Sequence, residues 1–253
     1  MLAIVLFIFC LFAFVLLYCR YCQRELPKCR RALVIFAHPD DETMFFSPTL
    51  HGLFECGATL YFLCISSGNQ NGFGKLRKVE LANAIQAHGF SVDNLTILEY
   101  DLFNDGFVVW CKEELAKAAL KFIETLEVDT VITFDEDGVS LHPNHSSCFR
   151  ALQHLYTNGL LPPNVQVFVL ESVPLWRKYF IFIDAVISSY HSTFLYVSSP
   201  QVYFTTWRAM FAHTSQLLWF RYLYLIFSRY VLINTLKRIH LQEHCVRRKL
   251  NSH

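Results

Sequence analysis

The chain has 253 residues, 53% of them hydrophobic and 17% charged, with a formal net charge of +1. That length suffices for one α/β domain with a sizeable core, and the near-neutral charge balance gives no basis for nucleic-acid binding. A mean hydropathy of +0.30 is high for a freely soluble enzyme and points to contact with a bilayer.

Residues 2–19 form an unbroken apolar run, just long enough to span a bilayer as a helix. A signal peptide carries its positive charge before the apolar stretch; here Arg20, Arg24, Lys28, Arg30 and Arg31 follow it. Basic residues stay on the cytoplasmic side. The expectation is therefore an uncleaved transmembrane anchor over 1–19, a basic linker over 20–31, a cytosolic domain over 32–240 and a basic tail over 241–253. The nine cysteines are odd in number and scattered, so no disulfide framework is expected. Cys19 and Cys22 have CxxC spacing but no second pair, and read as free thiols.

Residues 32–37 read as a buried strand of a parallel sheet. His38-Pro39-Asp40-Asp41-Glu42 stands at its end, where Pro39 stiffens the turn. An imidazole and a carboxylate at this spacing can reach one zinc ion; the aspartates can equally cap a following helix. A helix over 48–56, a strand over 59–66 and a Gly/Asn loop follow. Next come a helix over 75–88 stopped by Gly89, a strand over 95–100, a loop over 101–106 and a helix over 112–126. The strand over 130–134 leads into Asp135-Glu136-Asp137-Gly138 and then His142-Pro143-Asn144-His145. A helix over 146–156 and a strand over 165–170 complete a strand–helix alternation, which predicts a Rossmann-like, doubly wound, mostly parallel sheet. Beyond it the pattern predicts an edge strand over 195–197 and helices over 201–212 and 215–237. Arg221 and Arg229 interrupt the last, which argues against a clean span and leaves an interfacial helix or a buried closing helix.

Two polar strand-end loops at one sheet edge can complete a His/Asp/His site with an open position, the catalytic type of metal centre. Ala37-His38-Pro39-Asp40-Asp41-Glu42 resembles the signature of the LmbE/PIG-L family of zinc-dependent sugar de-N-acetylases, and His142-x-x-His145 resembles that family's downstream His-x-x-His. The likeness runs from about Arg31 to about Leu236. The run Ser215-Gln216-Leu217-Leu218-Trp219-Phe220-Arg221, continued by Ile226-Phe227-Ser228-Arg229-Tyr230, resembles the family's eukaryotic branch. The resemblance implies a hydrolase that removes acetate from N-acetylglucosaminyl-phosphatidylinositol in the bilayer, the second step of GPI-anchor synthesis. It implies a single-pass protein of the endoplasmic reticulum membrane.

Position by position, the resemblance makes His38, Asp41 and His145 the Zn2+ ligands, although spacing alone does not choose between Asp40 and Asp41. Another divalent ion would suit the same donors. Asp40 is then free to act as general base, and Glu42 is a supporting carboxylate at a helix start. As an imidazolium, His142 is expected to hydrogen-bond the tetrahedral oxyanion and then protonate the leaving amine. Asp135 or Asp137 would hold its charge, because Asn144 stands where some bacterial relatives have Asp. Ser140 stands where some of them have Tyr. Arg77, in a stretch similar to the family's Arg-x-x-Glu-Leu, and Asp105, before Gly106, are expected to bind phosphate or sugar hydroxyls. His51, His88, His154 and His213 read as ordinary histidines. The alternatives are a de-N-acetylase of another N-acetyl sugar conjugate and a non-catalytic glycolipid-binding membrane component. The intact set of His38, Asp40, Asp41, His142 and His145 argues against the second.

Overall fold

A computed structural model describes residues 14, 17, 20, 21 and 26–239. Most of the predicted anchor, the Cys19/Cys22 pair and the tail over 241–253 lie outside the described residues. Among the described residues, no helix is long and apolar enough to cross a membrane.

The core strand is β1 (Arg31–Phe36), paired in parallel with β2 (Thr59–Cys64) on one side and β4 (Thr130–Phe134) on the other. Its side chains enter two separate cores in alternation: Ala32, Val34 and Phe36 one, Leu33 and Ile35 the other, with Ala37 continuing the second. Burial on both faces is why this strand is spelled as a continuous apolar run. With β3 (Leu95–Ile97) and β5 (Gln166–Leu170), the sheet order begins β3-β2-β1-β4-β5, all parallel. The strand order reverses between β1 and β4, so their C-terminal ends open a crevice at the switch point.

Helices α1 (Ser47–Glu55) and α2 (Gly74–Ala87) bury Leu50, Leu53, Leu81 and Ile85 in the first core. Helices α3 (Lys112–Thr125) and α4 (Pro143–Thr157) bury Leu115, Ala119, Cys148 and Leu152 in the second. Farther on lie α5 (Ile181–His191), β6 (Phe194–Val197), α6 (Pro200–Ala212), α7 (Trp219–Phe227) and β7 (Ile233–Arg238). Strand β7 runs antiparallel between β5 and β6, closing a seven-stranded mixed sheet with β6 at its edge.

Three predicted elements differ. The helix expected over 215–237 ends at Phe227, where Ser228 turns extended and its side chain accepts from the Tyr230 N–H. A single helical turn over Arg229–Leu232 follows, and Ile233 and Thr235 then lie buried at strand period as β7 forms. Arg229 is fully buried and ion-paired with Asp184 at 2.9 Å. Second, α4 begins at Pro143, three residues early, because proline suits the first helical turn; His145 therefore sits on a helix, not in a loop. Third, β3 ends at Ile97, three residues short of the strand expected over 95–100.

Candidate metal centre and its pocket

The turn leaving β1 is held from within. One oxygen of Asp41, Oδ2, accepts the backbone N–H groups of Ala37 at 3.1 Å and His38 at 2.8 Å. Asp40 adopts φ +120°, a region L-residues rarely occupy. Its N–H donates to Glu42 Oε2 at 3.0 Å, and its carbonyl accepts the N–H groups of Thr43 and Met44. Such strain persists only where the surroundings over-determine it. Here they do: Glu42 is fully buried, and its Oε1 meets His213 Nε2 at 2.7 Å and the Thr43 hydroxyl at 2.6 Å. His213 is thus a support of this turn rather than an ordinary histidine.

The second turn, Gly138–Leu141, leads into α4. Asp135 accepts the Gly138 N–H at 3.0 Å and both the N–H and hydroxyl of Ser172, while Val139 N–H donates to Ser172 Oγ at 2.7 Å. Val139 at φ +62° and Leu141 at φ +58° are strained non-glycine residues beside the site. Gly138 has φ +58°, and a Cβ there would lie 2.6 Å from His145 Cβ. Its carbonyl accepts from His145 Nδ1 at 2.9 Å. The imidazole of His145 also lies flat on Phe134, with centroids 4.2 Å apart.

These constraints fix which nitrogens carry protons. His38 Nε2 faces two acceptors, Asp105 Oδ1 at 3.0 Å and Asn144 Oδ1 at 2.9 Å, so the proton sits there and Nδ1 is a lone pair. His145 donates through Nδ1, so Nε2 is a lone pair. The two lone pairs face each other at 3.3 Å. The Asp41 carboxylate stands 3.3 Å from His145 Nε2 and 3.6 Å from His38 Nδ1. Three electron-rich groups converge with no donor between them, and each imidazole donates its other N–H outward, as metal-bound histidines do. The donor set fits a divalent cation. His142 brings a third imidazole; ring nitrogens of His38, His142 and His145 lie within 4.8 Å of one another.

His142 is the N-cap of α4: its Nδ1 accepts the Asn144 N–H at 3.3 Å, leaving the proton on Nε2. Burial, and then the neighbouring imidazoles of His145 and His38, push its pKa down to about 4, against the pull of Asp41 and Asp105. This corrects the expectation of an imidazolium held by Asp135 or Asp137. Asp135 is spent on Ser172 and Gly138, and the carboxylates that act on His142 are others.

The two adjacent aspartates diverge. Burial opposes ionisation of Asp41, but His145, His38 and the His38 N–H outweigh it and hold its carboxyl well below the usual range. Burial raises the pKa of Asp40, against the charge of Arg221, whose Nη2 lies 2.8 Å from Asp40 Oδ2. Arg221, on α7, is a site residue that reads in sequence as a helix interruption and the end of a family-like run, with no role in the site; a charge within an aromatic run was its signal.

Arg77 and Asp105 stand in the wall of a cleft of about 770 Å³ that also takes in His38, Asp40, Asp41 and His142. Arg77 donates to the carbonyls of Gly68 at 2.9 Å and Pro39 at 3.1 Å, to Gln216, and to Asp105 at 3.4 Å. Glu80 sets that arrangement by accepting from Thr214, Ser215 and Gln216. Asp105 in turn spends Oδ1 on His38. Burial works against the imidazolium of His38, yet its bond to Asp105 and the charge of Asp41 raise its pKa. Asn144 is fully buried, its Nδ2 donating to Val108 O at 2.8 Å.

A family model described as PIG-L, GlcNAc-PI de-N-acetylase, matches residues 33–156. The N-acetylglucosaminyl-phosphatidylinositol de-N-acetylase of Bos taurus is 41% identical over 208 residues, 81% of this chain and 82% of that protein. The probable enzyme of the same name from Dictyostelium discoideum is 33% identical over 241 residues, covering 83% and 93%. Among solved structures, N,N'-diacetylchitobiose deacetylase from Pyrococcus horikoshii superposes with a TM-score of 0.60 at 15% identity over 84% of each chain, a likeness of fold.

Proposed function

This chain belongs to the PIG-L family of GlcNAc-PI de-N-acetylases, and on that premise we propose that it hydrolyses the acetamide of N-acetylglucosaminyl-phosphatidylinositol. The products are glucosaminyl-phosphatidylinositol and acetate, in the second step of GPI-anchor synthesis. The observation that carries the reading is the convergence of two imidazole lone pairs and the Asp41 carboxylate beside a second, separately tuned aspartate in one cleft.

We assign His38, Asp41 and His145 to the metal, and zinc to that mixed nitrogen–oxygen set. Bound there, it would supply Lewis acidity toward the acetyl oxygen and a more acidic water. His142 is left out because its Nδ1 is occupied by the helix cap and its Nε2 is protonated. The remaining work falls to the chain. Asp40 takes a proton from the attacking water; its raised pKa lets it keep that proton and pass it to the departing nitrogen. Arg221 holds the Asp40 carboxylate in place and sets the limit of that upward shift. His142 donates Nε2–H to the acetyl oxygen as negative charge develops, acting as a neutral donor rather than an imidazolium. Arg77 binds the Pro39 carbonyl and orients Asp105, and the two face the sugar from the cleft wall.

Phe180, Phe220, Leu223 and Phe227 line the cleft and are exposed apolar residues, with exposed Trp219 against Phe220. A rim of aromatics suits the headgroup layer of a membrane. Laid on the cytosolic face of the endoplasmic reticulum and anchored through residues 1–19, the domain at 32–240 would receive its substrate without extracting it from the bilayer.

The test is acetate release from N-acetylglucosaminyl-phosphatidylinositol by the purified protein. Release that stops with a chelator and returns with zinc is expected; no release from the zinc-loaded protein overturns the reading. Metal kept by Asp41→Asn and lost by His142→Ala would make His142 the third ligand.

A further inference from the structure

Lys178 lies in the short helix Leu175–Tyr179 and forms part of the cleft wall. The residue is only 9% exposed. Its Nζ is boxed by four rings, with centroids of Tyr224 at 5.6 Å, Tyr230 at 5.8 Å, and Phe45 and Tyr179 each at 5.9 Å. Cation–π attraction holds the ammonium in that box, but a buried charge ordinarily also has an anionic or hydrogen-bonded partner. Three Lys or Arg side chains line the cleft. Arg77 is paired with Asp105 and Arg221 with Asp40; the neighbouring Arg177 is paired with Asp184 at 2.7 Å. Among the described residues, Lys178 alone of these has no carboxylate within 4.0 Å and no hydrogen-bond acceptor. Lys178 is itself a lining residue of the cleft, which is the side from which a ligand reaches it. Burial, with Arg221 adding to it, brings its pKa down to about 8, which leaves it charged at neutral pH.

The box is one ring away from the metal donors: Phe45 lies 5.7 Å from the His145 ring and 5.9 Å from Lys178 Nζ. In a phosphoinositol-linked N-acetyl sugar, one sugar linkage and part of one inositol ring separate the amide from the phosphate. We propose that Lys178 and its aromatic box form the subsite for the phosphodiester of the substrate, the ammonium bonding a non-bridging phosphate oxygen. The rings fix the cation and exclude water, so the attraction is screened less than at an open surface. The proposal rests on the substrate class inferred above.

Binding of glycerophosphoinositol, measured by titration calorimetry on the zinc-loaded protein, tests the subsite without any turnover. Lys178→Gln and Lys178→Met should each weaken binding about tenfold or more, the scale of one charge-assisted hydrogen bond, and Lys178→Arg should recover most of it. With N-acetylglucosaminyl-phosphatidylinositol, KM should rise by the same factor while kcat holds. The preference for that substrate over phosphate-free N-acetylglucosaminyl-inositol should shrink equally. Wild-type protein that fails to bind glycerophosphoinositol, or binds it no better than Lys178→Gln, overturns the subsite; so does an equal loss on both substrates. Lys178-dependent binding without acetate release would leave the subsite standing and remove the proposed reaction.

Discussion

Replacing Gly138 by alanine tests the chain of reasoning that runs from backbone to metal. The residue has φ +58°, where an L-residue is disfavoured by about 1–2 kcal/mol. A new Cβ would lie 2.6 Å from His145 Cβ and 3.1 Å from the Ser146 nitrogen. Normal contact between carbons is about 3.5–4.0 Å, so His145 or the turn must yield by about 1 Å. The turn is pinned by Asp135 and Ser172, and the shift falls on His145 and its bond to the Gly138 carbonyl. Loss of such an outer contact lowers metal affinity about 10–100-fold. Gly57→Ala is the matched control: it has φ +87° and nothing within 4 Å of the added carbon. Both variants should lose Tm, but only Gly138→Ala should lose zinc in competition with a chromophoric chelator. Wild-type zinc affinity in Gly138→Ala would refute the role given to this carbonyl.

Asp40→Asn should keep its zinc and release almost no acetate, since water activation rather than coordination is its role; normal turnover would remove that role. His142→Ala should also keep zinc while kcat falls by about 10²–10³-fold, the cost of one lost oxyanion donor, and parallel loss of metal would make it a ligand. Arg221 draws the pKa of Asp40 down against burial. Arg221→Gln should therefore move the acid limb of kcat/KM to higher pH, and an unmoved limb would disconnect the two. Burial disfavours charge on His213, but Glu42 raises its pKa in the fold. Its stabilisation is then complete below the unfolded value of about 6.5 and fades as pH climbs through the raised one. His213→Gln should cost more Tm at about pH 6 than at about pH 9, and equal losses would sink the linkage.

The parallel half of the fold and the trio proposed as metal ligands lie close to the surface of the sequence. The apolar spelling of β1 and β4 follows from burial on both faces, and each ends in a proline-stiffened polar stretch. His38, Asp41 and His145 do come within 3.6 Å of one another, and family membership bears out the resemblance these motifs carry. The C-terminal third is another matter. The aromatic run from Trp219 is followed, past Ser228 and Arg229, by a second apolar stretch with no change of pattern that marks a strand, and only pairing with β5 and β6 makes β7 of it. Arg229 gives no sign of burial until Asp184, 45 residues earlier, is placed against it. Glu42 and His213 are 171 residues apart, so nothing local marks the pair. The spacing of His142 from carboxylates in sequence says nothing of the two imidazoles, one edge-on and one tilted, whose centroids lie 5.0 Å from its ring in space.

The buried amide of Asn144 carries a consequence for where this enzyme can work. Asn144-His145-Ser146 spells an acceptor tripeptide for N-linked glycans. The nitrogen that would receive the sugar is the one that donates to the Val108 carbonyl, in a side chain with no exposed surface, while its oxygen takes the His38 proton. A glycan there and the folded centre are mutually exclusive. A chain decorated before folding would lose one of the two contacts that hold the His38 proton on Nε2, leaving Asp105 alone to do so. The same three residues are harmless on the side of the membrane without oligosaccharyl transfer, and on the other side they would disable the protein that carries them.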